Sequence, residues 1–167
     1  MTPAPTGPGT DDVLAAAERY TAGFQPVGPG ARLAVVACMD NRLDVTRLLG
    51  LAGGDAYVIR NAGGILTEDV RRSLAIAQNA LGVEEILLIH HTDCGMSHLN
   101  DSEFASSLAE RTGLRPTWRP GGFASAEQDL REMLTALAAD PHVPAGAAAR
   151  GFVYDVDNGR LTEVERP

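Results

Sequence analysis

The sequence lacks the features that mark several broad classes of protein. It has no run of basic residues, and its net charge of −8 argues against nucleic acid or an anionic membrane as a partner. No apolar run approaches the length of a membrane span. The proline- and glycine-rich start has neither a basic segment nor an apolar block, so we expect no signal peptide. We therefore predict a cytoplasmic protein with no nucleic-acid or membrane partner.

Cysteine is also scarce. The two cysteines, Cys38 and Cys94, are too few for the disulfide framework of a small secreted domain, which favours a reducing compartment. They form no C-x-x-C pair, so a thiol–disulfide role is the weakest hypothesis. The 167 residues, 44% of them hydrophobic, suffice for one real core. We predict a flexible lead over residues 1–10 and a single domain over residues 11–167.

What is present is an alternation of strand-like and helix-like segments. The predicted strands cover residues 33–38, 56–60, 85–90, 151–156 and 161–164, and the predicted helices cover residues 11–24, 45–51, 67–81, 102–111 and 125–139. This alternation predicts an α/β fold with a mainly parallel central sheet flanked by helices. We expect about four parallel strands in the order 2-1-3-4, plus a C-terminal strand that pairs back as a hairpin.

Chemically distinctive side chains lie at the ends of the first and third strands: Cys38, Asp40, Arg42, His91 and Cys94. If these strands are neighbours, their carboxyl ends share one edge of the sheet, at the switch point where α/β proteins bind ligands. Two thiolates and one imidazole are a common ligand set for zinc. The sequence therefore predicts one zinc ion per chain, bound by Cys38, His91 and Cys94.

Three protein ligands leave a fourth position for water, which is typical of a catalytic zinc site. A zinc-bound hydroxide formed there could attack an electrophilic carbon. Two thiolates already cancel the charge of the ion, so this site should acidify water less than a site with three histidines. Arg42 is the nearby cation that would offset this effect.

Asp40 has two possible roles, and the sequence leaves both open. Its carboxylate could bind the metal and fill the fourth position, which would close the site. Alternatively, a bidentate pair with Arg42 could hold it off the metal, where it would orient the zinc-bound hydroxide. The Asp40–Arg42 dyad would then gate the fourth position.

The spacing of Cys38, Asp40 and Arg42, followed by His91 and Cys94, resembles the paired motif of the β-class carbonic anhydrases. The resemblance is strongest to the short bacterial and mycobacterial type, and it extends through residues 58–64 and the helix that follows. It implies zinc on the two cysteines and the histidine, with Asp40 on the metal or paired with Arg42. It also implies a lyase that reversibly hydrates carbon dioxide to bicarbonate and a proton, with Asp40 and Arg42 as its catalytic pair.

The resemblance further implies a homodimer or a tetramer of dimers, in which the first helix packs on the neighbouring subunit. Two alternatives remain for the activity. A carbonyl sulfide hydrolase would use the same zinc site, and a closed zinc site would have only a structural or regulatory role.

Four other residues near the predicted site or in loops also carry predictions. His90 should point away from the metal, because neighbouring strand residues face opposite ways. His98 is expected to be a solvated loop histidine. Asp93 is equally consistent with a contact behind the ligands and with a solvent-facing carboxylate. Trp118 is expected to anchor its loop by packing.

Overall fold

The computed structural model describes residues 7–28 and 30–166 and contains one five-stranded sheet. The strands are β1 Leu33–Cys38, β2 Ala56–Asn61, β3 Glu85–His91, β4 Arg150–Tyr154 and β5 Leu161–Val164. Their order in the sheet is β2-β1-β3-β4-β5; the first four are parallel, and β5 runs antiparallel to β4. The predicted fold class and strand order are confirmed. Of the predicted flexible lead, residues 1–6 lie outside the described residues.

Strand β1 lies inside the sheet and pairs with β2 on one side and β3 on the other. Residues 34–38 of β1 are all buried, as expected for a strand covered on both faces. The register places Ala37 beside Arg60 of β2 and beside Ile89 of β3. This pairing fixes the relative heights of the three strand ends, where the candidate site lies.

Five α-helices connect or flank the strands: α1 Thr10–Thr21, α2 Val45–Leu49, α3 Glu68–Leu81, α4 Asp101–Thr112 and α5 Ala126–Ala138. Local capping sets several of their ends. The side chains of Asp44, Thr67 and Ser125 accept backbone hydrogen bonds at the starts of α2, α3 and α5. Helix α2 ends at Leu49 rather than at the predicted Leu51, because Gly50 adopts the left-handed cap with φ 66°.

Two apolar clusters lie on opposite faces of the sheet. The larger packs α3 and α5 against the strands, and it includes Leu74, Leu88, Leu130 and Leu134. The smaller lies beneath α2 and includes Leu43 and Val45 together with both cysteines. The face that carries the smaller cluster therefore also carries the candidate metal ligands.

Four strand bounds differ from the prediction. Strand β2 extends one residue further, to Asn61, and strand β4 starts one residue earlier, at Arg150. Strand β3 continues one residue further, to His91. Strand β4 stops at Tyr154 instead of Val156, because the chain turns there: the backbone N–H of Asp155 donates to the carbonyl of Arg160 at 2.8 Å. The hairpin turn predicted around Asp157–Gly159 thus begins two residues earlier.

Within residues 7–28 and 30–166, helix α1 contributes no residue to an apolar core. None of its residues is buried, and Val13, Leu14 and Tyr20 are 49%, 58% and 69% exposed. These are the apolar residues that the sequence places along one side of the helix. The helix ends at Thr21 rather than at the predicted Phe24. Among the described residues, no helix has the length and apolar character needed to span a bilayer.

A short 3₁₀ turn, Ala62–Gly64, folds back against the end of β1. Gly64 has φ 70°, and a Cβ atom added there would lie 2.7 Å from the backbone nitrogen of Cys38 and 2.8 Å from the carbonyl carbon of Ala37. Only glycine allows this close approach of two backbones. The turn therefore determines where the end of β1 lies.

We expect Gly64→Ala to lower the free energy of unfolding by about 2 to 4 kcal/mol, because backbone atoms must separate and a left-handed residue acquires a side chain. Gly82→Ala is the matched control: its φ is 81°, but nothing lies within 4 Å of the added Cβ. The control should lose only about 1 kcal/mol. Urea unfolding of both variants tests this, and equal losses would contradict the steric explanation.

Candidate metal centre

Three buried side chains meet at the carboxyl ends of β1 and β3. Cys38 is the last residue of β1, His91 is the last residue of β3, and Cys94 follows three residues later. Their ligand atoms all lie within 4.8 Å of one another. The side chains are nearly inaccessible, with residue exposures of 4%, 1% and 2%. The parallel pairing predicted for strands one and three is what brings them together.

The alternation of side chains along β3 separates two adjacent histidines. His91 faces the cysteines, whereas the ring of His90 stacks on Phe123 at a centroid distance of 4.9 Å. The Nε2 atom of His90 lies 2.8 Å from the carboxylate of Asp129 on α5. His90 therefore belongs to the packing under α5, on the side of the strand away from the cysteines.

The geometry of the three side chains fits a metal ion with tetrahedral coordination by sulfur and nitrogen ligands. The two sulfur atoms are 3.9 Å apart. A zinc–sulfur bond of about 2.3 Å at a tetrahedral angle would place them about 3.8 Å apart. The Nδ1 atom of His91 lies 2.9 Å from the carbonyl oxygen of Thr92, to which it donates as the protonated nitrogen.

The other ring nitrogen of His91 points to the same conclusion. Nε2 is buried and has no hydrogen-bond partner among the described residues. A buried acceptor without a partner is unfavourable by roughly 1–3 kcal/mol. A metal ion between Nε2 and the two sulfurs would supply that partner, with the Thr92 carbonyl orienting the ring from behind.

The thiols are arranged to release a proton. The hydrogen bond from Cys94 lowers the pKa of Cys38, although burial opposes this. The same hydrogen bond raises the pKa of Cys94, and burial adds to the rise. The Cys38 thiol therefore ionises more readily than the Cys94 thiol. A dication would favour ionisation of both, since metal ligation requires both thiolates.

The carboxylate of Asp40 is held by Arg42. The Nε and Nη2 atoms of Arg42 donate to Oδ1 and Oδ2 of Asp40 at 3.0 and 2.8 Å, and its backbone N–H donates to Oδ1 at 2.9 Å. These bonds lower the pKa of Asp40 to about 2. Oδ2 lies 3.9 Å from Nε2 of His91. Asp40 is thus close to the three ligand atoms, in the arrangement paired with arginine.

Two further residues contact this group, and sequence reasoning assigned neither a definite role. Arg60 on β2 donates from Nε to the carbonyl of Cys38 at 2.9 Å and from Nη2 to the carbonyl of Asp40 at 2.7 Å. Asp93 accepts from Nη1 of Arg42 at 2.8 Å through its carboxylate. The position of Arg60 beside Ala37 follows from strand pairing, whereas no pattern in the sequence signals the contact of Asp93.

Of the other predicted residues, His98 is exposed, with Nε2 4.0 Å from the carboxylate of Asp93. Trp118 lies with its ring centroid 6.4 Å from that of Phe104, yet it remains 58% exposed. It contacts α4 but is not a buried anchor.

The chain is thus an α/β protein in which two thiols, an imidazole and an aspartate–arginine pair meet at one edge of a mainly parallel sheet. The sequence model described as carbonic anhydrase matches residues 33–119, which contain all of these side chains. The chain belongs to the β-carbonic anhydrase family. The resemblance inferred from the motif is thereby confirmed.

Three relatives illustrate the range of similarity. Beta-carbonic anhydrase 1 of Mycobacterium tuberculosis is 49% identical over 158 residues, covering 93% of this chain and 97% of the relative. The crystal structure of a carbonic anhydrase from Streptococcus mutans superposes with a TM-score of 0.84 at 39% identity, covering 93% and 96% of the two chains. A carbon disulfide hydrolase of Acidithiobacillus thiooxidans is 35% identical, covering 83% of this chain and 75% of the relative.

Proposed function

We propose that this protein reversibly hydrates carbon dioxide to bicarbonate and a proton, using one zinc ion per chain bound by Cys38, His91 and Cys94. The observation that supports this most directly is the unpartnered, buried Nε2 of His91 facing two close sulfurs beside a paired carboxylate. Zinc bound there would supply a coordinated water of lowered pKa as the nucleophile toward carbon. The remaining chemistry depends on residues of the chain itself.

Asp40 and Arg42 form the catalytic pair in this proposal. With a pKa near 2, Asp40 is ionised at neutral pH and can only accept hydrogen bonds. It would accept one from the attacking group and so orient that group toward the substrate. Arg42 fixes the carboxylate through two N–H donors. Because two thiolates would neutralise the charge of the zinc ion, Arg42 also contributes a positive charge beside the metal.

The same pair would gate the site. If Asp40 left Arg42, its carboxylate could occupy the fourth position and exclude the substrate. The paired arrangement favours the open form over the closed, purely structural zinc site. A role that is only structural or regulatory is therefore the weaker hypothesis.

Sulfur analogues of carbon dioxide are the alternative substrates. Carbonyl sulfide has the same linear geometry, and relatives at 33% to 35% identity are named carbon disulfide hydrolases. Carbon dioxide is favoured by the higher identity of the mycobacterial β-carbonic anhydrase and its almost complete coverage.

We also propose a cytoplasmic location, because two close cysteine thiols without a disulfide suit a reducing compartment.

We further propose that α1 packs on a second copy of the chain in a homodimer, which can pair into a tetramer. Its exposed apolar side, Val13, Leu14 and Tyr20, has no cover within the described residues. Burying such a surface between copies would remove apolar area from water.

Zinc analysis tests the ligands. The purified protein should contain one zinc per chain, and Cys38→Ser should contain almost none, because a hydroxyl is a poor replacement for a thiolate. His142→Gln is the matched control, since His142 has an 81% exposed side chain outside the site. Elemental analysis after dialysis provides the measurement, and an unchanged zinc content in Cys38→Ser would refute the ligand set.

Stopped-flow hydration assays test the reaction. The zinc-loaded protein should hydrate carbon dioxide, and Asp40→Ala should keep its zinc while its rate falls about 100-fold or more. Asp157→Ala, an exposed aspartate in the β4–β5 turn, should retain full activity. Sulfide release from carbonyl sulfide and carbon disulfide is measured on the same preparation. If sulfide release is faster than hydration, a sulfur analogue and not carbon dioxide is the preferred substrate.

Light scattering tests the assembly. Leu14→Glu should shift the mass toward that of a single chain, because a charge would enter the apolar contact. Arg19→Gln, on the opposite side of the same helix, should leave the mass unchanged. A wild-type protein that is monomeric at micromolar concentration would exclude the proposed dimer.

A further inference from the structure

Asp93 combines an unusual backbone with a side chain directed at the catalytic pair. It lies between two candidate ligands, His91 and Cys94, and has φ 52°. Among the described residues it is the only one other than glycine with a positive φ. This conformation is unfavourable for residues with a Cβ atom, although aspartate tolerates it better than most. Such strain persists where the surrounding structure makes use of the residue.

Both the backbone and the side chain of Asp93 bind Arg42. Nη1 of Arg42 donates to Oδ2 of Asp93 at 2.8 Å, and Nη2 donates to its carbonyl oxygen at 2.9 Å. The left-handed turn is what presents the carbonyl and the carboxylate to the same guanidinium. The alternative partner, His98, is further away, at 4.0 Å from the other carboxylate oxygen.

The contacts of Asp93 do not compete with those of Asp40. Asp40 uses the N–H of Nε and one N–H of Nη2, whereas Asp93 uses the other N–H of Nη2 and one of Nη1. The guanidinium is therefore held by two different residues through separate N–H groups. Arginine has a long and flexible side chain, so fixing its rotamer beforehand favours every contact that needs that rotamer.

We propose that Asp93 is a positioning residue that fixes Arg42 in the orientation that pairs with Asp40, and so favours the open form of the metal centre. This inference rests on the proposed gating by Asp40. Asp40 has two destinations, the metal and Arg42, and Asp93 binds only when Arg42 has the orientation seen here. Removing Asp93 would let Arg42 swing into solvent, and Asp40 would then bind the metal more often.

The expected effect is moderate, because the side chain of Asp93 is 68% exposed. An exposed ion pair changes a two-state ratio by about two- to fivefold. The opposite result, a shift toward the open form, has a physical cause as well. If the negative charge of Asp93 mainly repelled Asp40, removing it would strengthen the Asp40–Arg42 pair and open the site further.

The test uses cobalt-substituted, full-length protein and its visible absorption spectrum, which reports the ligands of the metal. The Asp40→Ala variant provides the reference spectrum of the open form. Under conditions in which the wild type populates both forms, Asp93→Gly should move the ratio about two- to fivefold toward the Asp40-bound form. Glycine suits the left-handed conformation, so the change removes the side chain without adding strain.

Two further variants make the result specific. Asp93→Asn keeps the backbone preference and a weaker acceptor, so its shift should be smaller in the same direction. The double variant Asp40→Ala/Asp93→Gly should have the spectrum of Asp40→Ala, since residue 40 can no longer bind. Asp69→Asn, which removes an exposed carboxylate paired with Arg72, controls for net charge and should change nothing.

An unchanged ratio, a shift toward the open form, or an equal change in the double variant would overturn the proposal. So would failure of both single variants to bind cobalt, because Asp93 would then be required for the fold. The spectrum needs a bound metal but no turnover. A protein that bound cobalt without hydrating carbon dioxide would therefore contradict the proposed reaction and leave the role of Asp93 measurable.

Discussion

The parallel pairing of β1 with β3 brings the candidate metal ligands together. These strands are separated in sequence by β2 and α3, yet they are hydrogen-bonded neighbours with Ala37 level with Ile89. Their common direction puts Cys38 and His91 at one edge of the sheet, and the turn after β3 returns Cys94 to them. A shift of one residue in register would turn His91 away and bring His90 toward the sulfurs. The backbone ladder, more than any side-chain contact, therefore assembles the ligand set.

Around this edge, arginines connect the loops that follow the strands. Arg60 binds the carbonyls of Cys38 and Asp40, which ties the end of β1 to β2. Arg42 binds Asp40 on one side and Asp93 on the other, which ties the loop after β1 to the turn after β3. The candidate ligands are thus supported by backbone, whereas the Asp40–Arg42 pair is supported by the more exposed ion pair of Arg42 with Asp93. An exposed ion pair is shifted more easily than a backbone ladder, which is consistent with the gating proposed for Asp40.

Much of the fold follows from local patterns. The apolar run over residues 33–38 predicts β1 with its observed bounds, and the caps at Asp44, Thr67 and Ser125 mark helix starts where a side chain can bind the backbone. The ends were less predictable. Helix α2 stops early at Gly50, and β4 stops early because Asp155 enters a turn with Arg160, a contact that has no periodic pattern. Helix α1 has the periodicity of a packed helix, but the part of the chain that the structure describes leaves its apolar side exposed.

Residue types along the chain indicate which side chains could bind a metal and which strands carry them, because ligand chemistry and strand period are local properties. The pairing of Asp40 with Arg42, and the contact of Asp93 with the far side of the same guanidinium, become visible only in the folded chain. Arg42 and Asp93 are 51 positions apart. A contact over that separation depends on the register of two strands and on a left-handed turn, neither of which has a signature in the order of residues.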